Sequence, residues 1–122
     1  MTELITIDSN IIVKALVGVQ SARDIFEGRI CYISFMVDIE LRSAKWVTRD
    51  DLLLIESALQ EFIVHPYDYA VQEKAIKIRR THNLKIPDAF IAATAIVLQL
   101  PLFSGDDIFK SVEGLNFIHV KF

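Results

Sequence analysis

The chain has 122 residues, 52% of them hydrophobic and 24% charged, so it can bury one core without staples and is too apolar to be disordered. No apolar run approaches the ~18 residues of a membrane span, and the N-terminus lacks the basic-then-apolar pattern of a secretory leader, so one cytoplasmic domain over 1–122 is expected. A net charge of −3 argues against holding nucleic acid by bulk charge, and the single cysteine, Cys31, lies between Ile30 and Tyr32 as a core residue of a reducing compartment.

From the N-terminus, Leu4-Ile5-Thr6-Ile7 reads as a short strand ending at Asp8, and Ser9 and Asn10 lead into the helical run Ile11 to Val17. Asp8 therefore closes a strand and caps a helix. Ser21 to Glu27 forms a second short helix stopped at Gly28, before the strand Ile30 to Ser34. Strand, helix and strand in this order predict a parallel crossover.

The next helix is predicted from Phe35 to about Val47. Advancing by about 100° per residue from Val37 places Leu41 at about 40°, Ala44 at about 340°, Val47 at about 280° and Glu40 at about 300°, inside the apolar arc. Asp38 falls on a separate charged face, four residues before Arg42, the spacing of an exposed helix pair. Glu40 lacks that explanation. A carboxylate in an apolar stripe either meets a buried base or binds a cation, and the helix alone leaves both open.

Thr48 to Phe62 reads as a further helix with Thr48 as cap, Asp50 and Asp51 in its first turn and Leu53, Ile55, Leu59 and Phe62 as apolar positions. Ile63-Val64-His65 is a strand ended by Pro66. Asp68 caps a long amphipathic helix to about Arg80, with Ala75, Ile76 and Ile78 packing. Five bases, Lys74, Lys77, Arg79, Arg80 and Lys85, crowd this region; such a run is a solvated helix face unless something else gives it a role. The helix that follows Lys85 is apolar on every side through Ala89, Phe90, Ile91, Ala92, Ala95, Ile96 and Val97, so it should be buried. Asp88 enters the interior with it, either as a helix-start residue behind Pro87 or as part of a site. Leu100 to Phe103 is a fourth strand, Ser104-Gly105-Asp106-Asp107-Ile108-Phe109 the turn that leaves it, and Phe117 to Val120 a fifth strand.

Strands separated by one or two helices predict an α/β domain with a mainly parallel five-stranded sheet flanked by helices, in which sites form beyond the carboxyl ends of the strands. Asp8, Glu40, Asp88 and Asp106 can then reach one rim. Taking those four from the 16 acids leaves 12 against 13 bases, so the remainder is near neutral and the negative net charge is a local property.

Asp8-Ser9-Asn10, Ile39-Glu40-Leu41, Pro87-Asp88-Ala89-Phe90-Ile91-Ala92-Ala93-Thr94-Ala95 and Ser104-Gly105-Asp106-Asp107-Ile108-Phe109 resemble the four motifs of the PIN domain in order, across the whole chain, and are most similar to its VapC-type toxin-like group. Two departures are Ser104 where the family commonly has Thr, which keeps the hydroxyl, and a short spacing from Asp8 to Glu40. The resemblance implies a metal-dependent endoribonuclease, the toxin of a toxin–antitoxin pair. It implies RNA as substrate, Mg²⁺ or Mn²⁺ as cofactor, a protein antitoxin as partner, and a homodimer, for which Trp46, Phe35 and Tyr32 are the exposed apolar candidates. It assigns Asp8, Asp88 and Asp106 as direct or water-bridged metal ligands, with Glu40 at the same metal site positioning the attacking water or helping its deprotonation. Asn10 and Ser104 would orient those carboxylates or the phosphate, and Asp107 is the substitute for Asp106. Oxygen donors suit such hard cations, and a divalent ion offsets the charge of a phosphodiester.

The rival reading is a non-catalytic interaction module on the same fold, against which an intact set of four acids argues. A receiver-like phosphoacceptor would need an acidic pair after the first strand and an acid after the third, where His65-Pro66-Tyr67 stands. A haloacid-dehalogenase-like phosphatase would need a second Asp at Asn10. His65, His82 and His119 have no zinc-ligand spacing.

Overall fold

The computed structural model describes residues 2–122. Strand β1 (Glu3–Ile7) leads into α1 (Ser9–Leu16) and α2 (Gln20–Phe26), and β2 (Arg29–Ser34) into α3 (Phe35–Ser43) and α4 (Arg49–Leu59). Strand β3 (Ile63–His65) is followed by α5 (Tyr69–Thr81) and α6 (Ile86–Leu98), then β4 (Leu102–Ser104), a 3₁₀ turn (Asp107–Ser111) and β5 (Phe117–His119). The sheet order is β3-β2-β1-β4-β5 and every pairing is parallel. The expected mainly parallel five-stranded sheet is thus wholly parallel.

This order places the reversal of chain direction across the sheet at β1. Strands β2 and β3 build outward on one side, β4 and β5 on the other, and the crevice above the carboxyl end of β1 is where such sheets form their sites. The register brings Thr6 beside Leu102 and Ile7 beside Phe103. The Asp8 amide continues the ladder by donating to Phe103 O at 3.0 Å, so β4 delivers Ser104 next to Asp8. The central strand is buried on both faces, with Ile5 and Ile7 inaccessible and Thr6 satisfied by donating its hydroxyl to Pro101 O at 2.8 Å.

Helix α6 is buried as its composition requires, since Ala89, Ala92, Ala93 and Ala95 let neighbouring elements approach closely. Its one buried hydroxyl, Thr94, donates back to Phe90 O at 2.7 Å. The helix ends at Gln99, which takes the left-handed conformation of a C-terminal cap at φ 58°.

Three expected boundaries move. Helix α3 stops at Ser43, because Ala44 is extended and Thr48 begins a new helix with a reciprocal capping box to Asp51. The helical projection therefore holds for Val37, Glu40 and Leu41 but not for Ala44 and Val47, although Val47 still packs on the core from its turn. Helix α4 ends at Leu59, and Phe62 packs edge-on against Phe26 from outside it. Strand β4 begins at Leu102, since Leu100 and Pro101 belong to the connection from α6.

Some apolar positions face outward. Leu53 and Leu54 are each 60% exposed while Ile55 alone in that helix is fully buried, and Ile76 on α5 is also exposed. Of the aromatic residues expected at the surface only Trp46 is. Phe35 stacks edge-on with Tyr67 and Phe90, which half-buries it, and Tyr32 is held in β2 at similar burial.

Candidate active site

Asp8 stands at the carboxyl end of β1 and caps α1, and the residue is 5% exposed. Oδ1 accepts from the Ser9 amide at 2.7 Å. Oδ2 accepts from the Ser104 hydroxyl at 2.8 Å and, more weakly, from Asn10 Nδ2 at 3.4 Å. Ser104 is the hub of this set: its Oγ donates to Asp8 and accepts from Asn10 Nδ2 at 3.1 Å and from the Asp106 amide at 3.0 Å. Asn10 Oδ1 accepts from the Gly105 amide at 3.0 Å. One hydroxyl therefore ties the ends of β1 and β4 to the turn carrying Asp106, and a Thr at the same place would do the same work through the same oxygen.

The expected acids interact in pairs, Asp8 with Asp106, Glu40 with Asp8 and Asp88, and Asp88 with Asp8 and Asp106. Burial is the largest influence on Asp8, raising its pKa against the lowering bonds from Ser104 and Ser9, with Asp106 raising it further. Asp88 is raised by burial, then by Asp8 and Asp106, and partly relieved by Lys85. Glu40 is pushed up to about 7 by burial and by the charges of Asp8 and Asp88. Asp106, which caps the 3₁₀ turn by accepting from Ile108 N at 3.1 Å, couples to Asp8 and Asp88, whereas the neighbouring Asp107 does not.

The alternatives left open by the sequence resolve unequally. Asp88 lies in the first turn of α6, but no side chain caps that helix, so its carboxylate is not spent as a cap. Glu40 makes no salt bridge among the described residues: its Oε1 is buried and has no hydrogen-bond partner, alone in this among their buried side-chain nitrogen and oxygen atoms. Asp38 pairs with Arg42 as its spacing predicted, at 2.7 and 3.0 Å. Of the basic cluster, only Lys85 bears on the acids; Lys77, Arg79 and Arg80 are exposed, and Arg79 donates to Leu84 O.

Three further residues flank the acids and had no role in the sequence reading. Lys14, His119 and Phe122 share a cleft with Asn10, Asp106 and Asp107. Lys14 follows Asn10 by one helical turn, a signal the sequence contained. His119 and Phe122 arrive only because β5 pairs with β4, placing His119 beside Ser104.

The family model described as PIN domain matches residues 5–115, which include all four acids. The chain belongs to the PIN domain family. Among solved structures this PIN domain is similar to a chain of a toxin–antitoxin complex from Klebsiella pneumoniae, at 25% identity over 91% of this chain and 94% of that one, with a TM-score of 0.79. It shares its fold with VapBC2 from Rickettsia felis bound to a DNA fragment from their promoter, at 17% identity, 95% and 98% coverage and a TM-score of 0.83. It shares it also with DNA-bound VapBC from Salmonella typhimurium, at 18% identity, 98% coverage of both chains and a TM-score of 0.83. Nothing among curated protein sequences matches the chain. Among the described residues no helix is long and apolar enough to cross a membrane.

The donor set of this PIN domain fits a divalent cation. It consists of carboxylate oxygens, the ligands hard cations take, and it includes a buried oxygen that no protein group satisfies. Among the described residues no three acids, histidines or cysteines are gathered closely enough to hold a metal ion.

The raised pKa values carry a stability consequence. Asp8, Glu40 and Asp88 hold protons more tightly in the folded chain than in the unfolded one, so stability present near pH 5 should be lost as the pH rises through about 7. Asp68 is shifted the opposite way and acts only at lower pH. In EDTA the melting temperature should fall between pH 5.5 and 8, on the order of 1–2 kcal/mol of the change coming from Glu40 after allowance for the part that water reaches. Glu40→Gln should flatten that slope. Equal slopes in variant and parent would show that Glu40 is not strained by its neighbours.

Proposed function

We propose that this PIN domain is a metal-dependent endoribonuclease and the toxin of a toxin–antitoxin pair. The observation that carries the reading is the half-buried Glu40 carboxylate, whose Oε1 is buried without a hydrogen-bond partner and which is repelled by Asp8 and Asp88.

Asp8, Asp88 and Asp106 would hold Mg²⁺ or Mn²⁺. Such an ion, when bound, offsets the negative charge of a phosphodiester and makes water a better nucleophile at neutral pH. Glu40, with an Oε1 that no protein group satisfies and with Asp8 and Asp88 as electrostatic neighbours, is suited to accept the proton of the attacking water. The water oxygen forms the new bond to phosphorus, the bond to the leaving ribose oxygen breaks, and that oxygen takes up a proton. Asn10 and Ser104 fix Asp8 and the turn of Asp106, so the acids are aimed before substrate arrives. Asp107, exposed at the same cleft, is the substitute for Asp106.

The proposed partners are RNA, a protein antitoxin and a second copy of the chain. An antitoxin is supported by the toxin–antitoxin complex among the similar structures and by exposed apolar residues beside the site. Trp46 lines one cavity with Glu40 and a second with Val17 and Leu54.

The purified protein should cleave single-stranded RNA with Mg²⁺ or Mn²⁺ and stop with EDTA. Millimolar metal should also raise the melting temperature, since an ion that binds only the folded chain at a hundred times its Kd adds about 2.7 kcal/mol. An unchanged melting temperature together with no heat of metal binding would favour the non-catalytic module.

A further inference from the structure

The cleft beside Asp106 has a construction that the acids do not need. Its volume is about 530 Å³, within the ~300–1,000 Å³ of ligand sites, and its walls are Asn10, Lys14, Asp106, His119 and Phe122 over a floor at Gly105. The Phe122 ring edge rests on Gly105 so closely that a Cβ there would lie 2.7 Å from Cε2. The backbone of Gly105 is not in a conformation that demands glycine, so the missing side chain is what lets the ring lie down. Two bonds hold the segment carrying the ring: His119 Nε2 donates to Gly105 O at 3.1 Å, and the Val120 amide donates to Ser104 O at 2.9 Å. Phe122 nevertheless remains 45% exposed.

Lys14 completes the arrangement. Its Nζ lies 5.7 Å from the Phe122 ring centroid, and among the described residues it makes no salt bridge. Lys14 also borders the neighbouring cavity that holds Glu40, so one ammonium stands between the two openings. A half-exposed aromatic ring with an ammonium over it, next to acids that would act on a phosphodiester, matches the recognition of a single-stranded nucleotide: the base stacks on the ring in place of the ammonium, which moves to the phosphate.

We propose that Phe122 and Lys14 form a nucleotide subsite of this PIN domain, in which Phe122 stacks one unpaired base flanking the scissile phosphate and Lys14 binds the phosphate that joins them. Gly105 and His119 set the ring's position. The subsite rests on the ribonuclease reading and adds to it two binding residues that lie outside the four acids.

The test uses the full chain and a fluorescent single-stranded RNA of about ten nucleotides. Anisotropy is measured in Mg²⁺ on an Asp88→Asn background, and cleavage kinetics on the otherwise native chain. Phe122→Leu should weaken binding and raise KM by on the order of tenfold, with kcat and the salt dependence of binding kept. Phe122→Trp should restore both. Lys14→Ala should weaken binding and reduce the slope of log K against log salt by about 0.7, the signature of one lost phosphate contact. Gly105→Ala, which pushes the ring off its seat, should weaken binding without adding to the effect of Phe122→Leu. All four variants should melt with the parent. If Phe122→Leu binds RNA as the parent does, or Phe122→Trp binds as poorly as Phe122→Leu, the subsite is wrong while the nuclease stands. If the parent binds RNA in a Phe122-dependent way but never cleaves it, the nuclease reading falls, and of the subsite only base stacking on Phe122 survives, with no scissile phosphate beside it.

Discussion

Asp88→Asn should leave a folded protein whose cleavage of single-stranded RNA in Mg²⁺ or Mn²⁺ falls by on the order of a hundredfold or more. Asp8→Asn and Asp106→Asn should do the same. Each change removes one negative charge at almost constant shape, so a cation site loses a ligand while the repulsion within the acid group declines. For Asp8 and Asp88, raised by burial and by one another, the fold should gain or keep stability, which separates loss of chemistry from loss of structure. Asp38→Asn is the internal control, because Asp38 pairs with Arg42 on an exposed part of α3. A surface pair of this kind is worth about 0–1 kcal/mol, and its loss should not touch cleavage. Parent-like cleavage in all four variants would assign the activity to a contaminant or to a different site.

The second large effect is expected from a residue that touches no substrate. Phe109 is fully buried within the 3₁₀ turn that Asp106 caps, and it packs against Phe117 of β5 with ring centroids 5.9 Å apart. Phe109→Ala empties that seat and should cost about 3–5 kcal/mol. For a domain of this size the melting temperature should drop by on the order of 10–20 °C. Because the turn places the Asp106 carboxylate, metal binding followed by calorimetry well below the melting point should also weaken. Ile108→Ala, at a neighbouring and 37% exposed position, should show neither effect. A loss under about 1 kcal/mol for Phe109→Ala would mean that the turn is held by its hydrogen bonds instead, those from Asp106 N to Ser104 and Ile108 N to Asp106.

The two predictions divide the fourth motif into its parts. Asp106 is legible in the sequence as an acid that follows the fourth strand, and Ser104 through the resemblance of its segment to the fourth motif of the PIN domain. Phe109 reads only as an apolar residue in a turn, and its value as the anchor of Asp106 depends on Phe117, which the chain supplies from the next strand.

The sequence by itself determined the element order, the parallel α/β class, the burial of the Asp88 helix and the assignment of Asp38 to an exposed pair. These depend on periodicity and capping within single elements, and local patterns carry them. It also singled out Glu40, since an acid inside an apolar arc needs no partner structure to be conspicuous. Only the tertiary structure shows that Glu40 makes no salt bridge among the described residues and has Asp8 and Asp88 as electrostatic neighbours, because those residues come from the end of β1 and from α6 and not from α3. The end of α3 at Ser43, the outward turn of Leu53, Leu54 and Ile76, and the joining of Asp8, Asn10 and Ser104 through one hydroxyl were decided there as well. So was the cleft of Lys14, His119 and Phe122, whose members come from α1, from β5 and from just beyond β5. Contacts between residues about a hundred positions apart follow from strand order and register, which a linear pattern of apolar and polar residues leaves free.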